Sequence, residues 1–192
     1  MKIDDVTLTL FKWDDIPETK YHAGAANAGG ESALGLLHIR TDEGIDGFSF
    51  LGSMSFSAEV DCKGVIRTLK PLLMGQDPLD REALYQAMWK RSRITTSRSI
   101  GAVDIALYDI AAKAAGLPLY KLLGGYRTSV PAYASSAVLP SRQAYVEEAL
   151  QYKENGWAAY KIHPPTEWRE DIEICRAVRE AVGNDFDLML DS

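Results

Sequence analysis

Apolar and polar positions along the chain change their spacing twice, and the changes mark out its organisation. Residues 3–12, with Ile3, Val6, Leu8 and Leu10, read as a first strand. Residues 13–31 carry Asp14, Asp15, Pro17 and a Gly/Ala-rich run from Gly24 to Gly30, which predicts a mobile loop. Residues 34–40 and 45–51 flank Thr41-Asp42-Glu43-Gly44, a turn signal, so a hairpin follows and three antiparallel strands open the chain.

A helical rhythm comes next. Ser57 is placed to cap a helix over 57–73 that Gly75 ends, and Asp77-Pro78 is placed to start a second one running to Arg91. A third helix covers 99–115, with Ile100, Val103, Leu107, Ile110, Ala111 and Ala114 on one stripe, and Gly116 and Pro118 stop it. After Gly124-Gly125 the pattern alternates: strands at 130–135, 158–163 and 186–191, helices at 141–155 and 166–182. The strand starts lie 28 residues apart. That period suits β-loop-α-loop units, which build parallel sheets with right-handed crossovers. The reading is an α+β domain over 1–125 and a βα-repeat domain over 126–192. Leu188, Met189 and Leu190 read as a strand apolar on both faces, an interior strand with nothing after it to cover it. The expectation is a barrel that stops after its third strand.

Composition narrows the classes. Of 192 residues, 46% are hydrophobic and 25% charged, an ordinary globular balance, and the net charge of −6 argues against a nucleic-acid surface. No run approaches a membrane span and no leader pattern opens the chain, so the expected location is the cytoplasm. Cys62 and Cys175 have no zinc spacing and are expected to be buried free thiols. Gly24–Gly30 lacks a following GK[ST] and leads into a strand, so it is not read as a nucleotide loop. No GxSxG or HExxH occurs, which removes the serine-hydrolase and zincin readings.

The stretch Ala158–Pro165 carries the candidate chemistry. As a strand it puts Lys161 and His163 on one face and Ile162 on the other, and the prolines place His163 at or just past the carboxyl end. In parallel α/β proteins that end meets the ligand. Two cationic or titratable groups there point to chemistry on an anion, against the plainer reading of a solvated sheet edge.

The stretch 99–125, SIGAVDIALYDIAAKAAGLPLYKLLGG, closely resembles the helix-and-exit segment of the mandelate racemase group of the enolase superfamily, and the order of elements agrees from end to end. The resemblance implies a capping domain before a modified (β/α)₇β barrel, a bound Mg²⁺ and removal of the proton α to a carboxylate. It implies that Asp191, ending the third barrel strand, is a metal ligand. It places Lys161 and His163 where the group has Lys-x-Lys, with His163 replacing the second lysine. Ser135, ending the first barrel strand, would contact the substrate carboxylate, and Tyr21 and His22 would reach substrate from a lid loop. The remaining metal ligands and the opposite base would lie on later strands.

The chemistry needs these groups because a proton α to a carboxylate is too weakly acidic to leave unaided. The enediolate needs a divalent cation and fixed donors, and hard Mg²⁺ prefers oxygen ligands. Imidazole at position 163 can act as base or donor. The expected function is acid-sugar dehydration, with a racemase, epimerase or cycloisomerase as the alternative within the superfamily. The alternative of another class is an inert fragment, since the 192 residues alone are expected to be inactive. The resemblance further implies a homo-oligomer with a small carboxylate as its ligand.

Overall fold

The computed structural model describes residues 1–21 and 28–191. The chain divides into two compact units, Met1–Ile16 with Gly30–Tyr126 and Pro17–Gly29 with Arg127–Ser192. His22, expected to touch substrate, lies outside the described residues.

Three strands, β1 (Ile3–Thr19), β2 (Ala28–Thr41) and β3 (Gly47–Leu51), form a sheet in the order β1-β2-β3. β2 and β3 pair antiparallel, from Gly35 opposite Leu51 to Ile39 opposite Gly47. The turn between them is closed by Thr41, whose hydroxyl donates to Ile45 O and accepts from Ile45 N. β1 continues through 13–19, where the sequence predicted a loop. It lies at the sheet's edge, where a proline such as Pro17 is tolerated, and Lys12 pairs with Asp14 and Glu31 along it.

The predicted helix over 57–73 is present in three consecutive parts: α1 (Glu59–Lys63), a π-helical turn (Gly64–Leu69) and α2 (Lys70–Leu73). The Ser57 hydroxyl accepts from Glu59 N, but the cap position of α1 is Ala58, so Ser57 is not the cap residue. Asp77 makes a tight turn by accepting from Leu79 N, so α3 (Arg81–Trp89) begins later than predicted. α4 (Ser97–Ala114) is capped by Thr96, which accepts from Ser99 N, and a short α5 (Leu119–Leu122) follows. Leu37 and Ile39 of the sheet share a buried core with Val65, Leu69, Leu73 and the α4 stripe Ile100, Val103, Leu107 and Ile110. Within this helical layer Asp61 is fully buried. It accepts from Thr96 Oγ1 (2.5 Å), Ser99 Oγ (3.3 Å) and Arg98 Nε (3.2 Å).

The second unit holds β4 (Ala134–Ser135), α6 (Arg142–Glu154), β5 (Ala159–Ile162), α7 (Trp168–Val182) and β6 (Asp187–Leu190). The strands form a parallel sheet in the order β4-β5-β6. β4 is far shorter than the predicted 130–135; the residues before Ala134 are exposed and take no ladder partner. Ala134, Tyr160 and Ile162 on one sheet face pack with Tyr145 and Ala149 of α6 and Ile174, Val178 and Val182 of α7. Met189 and Leu190, expected to be interior, are 41% and 51% exposed. Cys62 and Cys175 are free but only half-buried, and burial pushes both thiols up. Among the described residues no helix is long and apolar enough to cross a membrane.

Candidate active site

Strand register brings the polar groups together. Ser135 lies opposite Lys161, and Lys161 opposite Met189, so all three point to the sheet face away from α6 and α7. Two residues on from Lys161 and Met189 come His163 and Asp191, just beyond the carboxyl ends of β5 and β6. Asp191 N–H donates to Ile162 O (3.0 Å), which extends the ladder one step and holds the aspartate beside the histidine.

Asp191 Oδ2 stands 2.5 Å from Lys161 Nζ and 3.4 Å from His163 Nε2. The Lys161 ammonium holds the Asp191 carboxyl below the usual carboxylate range, and Asp191 in turn raises Lys161. Ser135 Oγ lies 3.4 Å from His163 Nδ1, at the limit of a hydrogen bond. The Tyr21 ring meets the His163 ring edge-on at 5.1 Å. Of the residues singled out in the sequence, Tyr21, Ser135, Lys161, His163 and Asp191 therefore fall in one cluster.

Three neighbours were not foreseen. The Tyr133 ring lies 5.9 Å from Lys161 Nζ. Tyr145, fully buried, accepts from Leu139 N (2.9 Å) and donates to His163 O (2.8 Å), so α6 pins the backbone at the end of β5. Ser136 holds His163 twice: its hydroxyl accepts from His163 N (2.9 Å), and its carbonyl accepts from His163 Nδ1 (2.7 Å). No spacing rule announces the contacts these three make with Lys161 and His163, because each joins residues 18 or more apart in sequence.

A half-exposed carboxylate at a strand end is the hard-oxygen donor that Mg²⁺ takes. Asp191 offers one oxygen donor of that kind. Among the described residues no three His, Cys, Asp or Glu side chains gather as a ligand set.

Residues 9–124 match the profile of the mandelate racemase/muconate lactonizing enzyme N-terminal domain, and residues 144–192 that of the enolase C-terminal domain-like fold. The chain belongs to the mandelate racemase family of the enolase superfamily. It is 34% identical over 174 residues to L-talarate/galactarate dehydratase of Salmonella typhimurium, covering 84% of this chain and 42% of that one. The crystal structure of D-glucarate dehydratase from Agrobacterium tumefaciens complexed with magnesium matches with a TM-score of 0.80 and 31% identity, covering 100% of this chain and 54% of that one. N-succinyl Arg/Lys racemase from Bacillus cereus matches with a TM-score of 0.87 and 26% identity, covering 100% and 52%. Other relatives in the family are cycloisomerases and a dipeptide epimerase. The chain spans about half the length of the relatives it matches. The antiparallel sheet with its helices, followed by parallel βα units, is what a capping domain and the first part of a barrel look like in this family.

Proposed function

We propose that the protein carrying this chain removes the proton α to the carboxylate of an acid sugar and then expels the β-hydroxyl, as a Mg²⁺-dependent dehydratase. The observation that carries this is the meeting of Lys161, His163 and Asp191 at the carboxyl ends of adjacent parallel strands. Similarity to talarate/galactarate and glucarate dehydratases supports the substrate class. Asp191 would be one of the groups holding Mg²⁺, which would supply charge neutralisation for the developing enediolate.

Lys161 contributes a fixed positive charge to a carboxylate or enediolate oxygen on its side of the site. His163 moves the proton: imidazole is matched to accepting a proton from carbon and to returning one to a departing hydroxyl. Ser135 gives a hydroxyl to the substrate carboxylate, and Tyr21 closes the site against the His163 ring. Expulsion of the hydroxyl leaves an enol that tautomerises to a 2-keto-3-deoxy acid, so atoms balance with water as the second product.

The test is a panel of aldonates and aldarates with Mg²⁺, followed for 2-keto-3-deoxy acid. Turnover of at least one acid sugar, lost on chelation, is expected. Exchange of the α-proton with solvent deuterium on any substrate, with no elimination across the panel, would favour the racemase reading instead.

A further inference from the structure

The end of the β4–β5 ladder contains a swapped rung. Ser136 N–H donates to Lys161 O (2.9 Å). In a regular parallel ladder the next bond would run from His163 N–H to the Ser136 carbonyl. Here the Ser136 hydroxyl takes the His163 N–H instead, and the carbonyl is left to receive the imidazole Nδ1 at 2.7 Å. Ser136 is 1% exposed, so no water competes for either bond.

A carbonyl oxygen can only accept. The proton between it and the ring therefore belongs to Nδ1, and in the neutral imidazole Nε2 carries the lone pair. Nε2 is the nitrogen that faces Asp191, but at 3.4 Å from an Oδ2 that already takes the Lys161 ammonium at 2.5 Å it is a weaker place for the proton than the 2.7 Å contact at Nδ1. We infer that Ser136 is a positioning residue that selects the Nδ1–H tautomer of His163, so that Nε2 is the atom through which the histidine takes up and returns a proton. This rests on the proposed role of His163 in proton transfer, but the tautomer itself is a property of the chain alone.

The Ser136 hydroxyl keeps the carbonyl free for the ring. Ser136→Ala removes the acceptor of the His163 N–H, which then closes the regular rung on the carbonyl of residue 136. The ring loses its acceptor, and the preference for Nδ1–H goes with it. Ser136→Thr keeps both hydroxyl and carbonyl and keeps the tautomer.

The experiment is a two-bond ¹H–¹⁵N correlation spectrum of the chain labelled in its imidazole nitrogens, at about pH 8.5, well above the ordinary imidazole pKa. The His163 signals are assigned by their disappearance in His163→Asn. Expected is an Nδ1-protonated ring with bare Nε2 in the wild type and in Ser136→Thr, and a shift toward Nε2–H in Ser136→Ala. A proton on Nε2 in the wild type at this pH overturns the inference, and needs no variant to fold. An unshifted Nδ1–H pattern in a folded Ser136→Ala overturns the part given to the hydroxyl. Failure of the acid-sugar panel would remove the proposed function and leave the spectrum unchanged, so the two are separable.

Discussion

Lys161 Nζ lies 2.5 Å from Asp191 Oδ2, a contact made between neighbouring parallel strands by residues 30 apart in sequence. Its effect on stability has a definite pH form. The Asp191 carboxyl is held below its ordinary 3.8, so its contribution is present above that value and is lost as pH falls through the depressed one. Lys161 is raised above 10.5, so its contribution is present below that value and is lost as pH rises through the raised one. The difference in denaturation midpoint between wild type and Asp191→Asn should be flat across the neutral range and shrink at both extremes. Because Asp191 is half-exposed, added salt should narrow it throughout. A difference that grows below the ordinary carboxylate range would contradict the pairing.

The same cluster makes a kinetic prediction for the protein that carries this chain. Lys161→Met and His163→Asn should each lower turnover by about 10²–10⁴-fold, the usual range for removing one proton-transfer or charge-stabilising group. Asp191→Asn should weaken Mg²⁺ binding measured by calorimetry, whereas His163→Asn should leave it close to wild type. If His163→Asn abolished ion binding and left turnover of bound enzyme intact, the division of labour drawn above would be wrong.

Asp61 predicts a structural effect remote from chemistry. It is fully buried and joins α1 to the start of α4 through Thr96, Ser99 and Arg98. Asp61→Ala leaves these donors without their acceptor and should cost about 3 kcal/mol in equilibrium unfolding. A loss below about 0.5 kcal/mol, the level of an ordinary surface substitution, would show that the helix start holds without it.

Gly47 predicts another. A Cβ there would collide with the Ala106 carbonyl of α4 and sit 2.7 Å from Ile110 Cγ1. Gly47→Ala should therefore push β3 off α4 and destabilise by about 1–3 kcal/mol, the cost of overpacking a tight interior. Gly101, with open space around it on α4, is the control position: Gly101→Ala should be neutral or stabilising. Thermal melts of the two variants check the contrast.

Much of the fold was legible because its signals are local. The Ile100–Ala114 stripe with Gly116 and Pro118 fixes α4, and Gly156 and Gly183, both at positive φ, end the two helices of the βα units. Alternation alone put Lys161 and His163 on one face. What could not be read depends on partners far away in sequence. The polar run 13–19 becomes strand because β2 pairs with it, overriding its own weak preference. Asp191 reaches His163 only through the register that sets Lys161 against Met189. Ser136 and Tyr145 look like ordinary polar residues until the backbone of His163 is brought to them.

The exchanged rung at Ser136 also bears on how such a sequence can change over generations. A lysine at position 163 has no ring nitrogen to place against a carbonyl, and beside it an alanine at 136 would close the ladder without loss. Once histidine stands at 163, the hydroxyl at 136 acquires a use it did not have before. Among relatives the two positions are expected to be inherited as a pair, serine or threonine with histidine and a freer choice with lysine. A swap at one position alone would leave its counterpart mismatched.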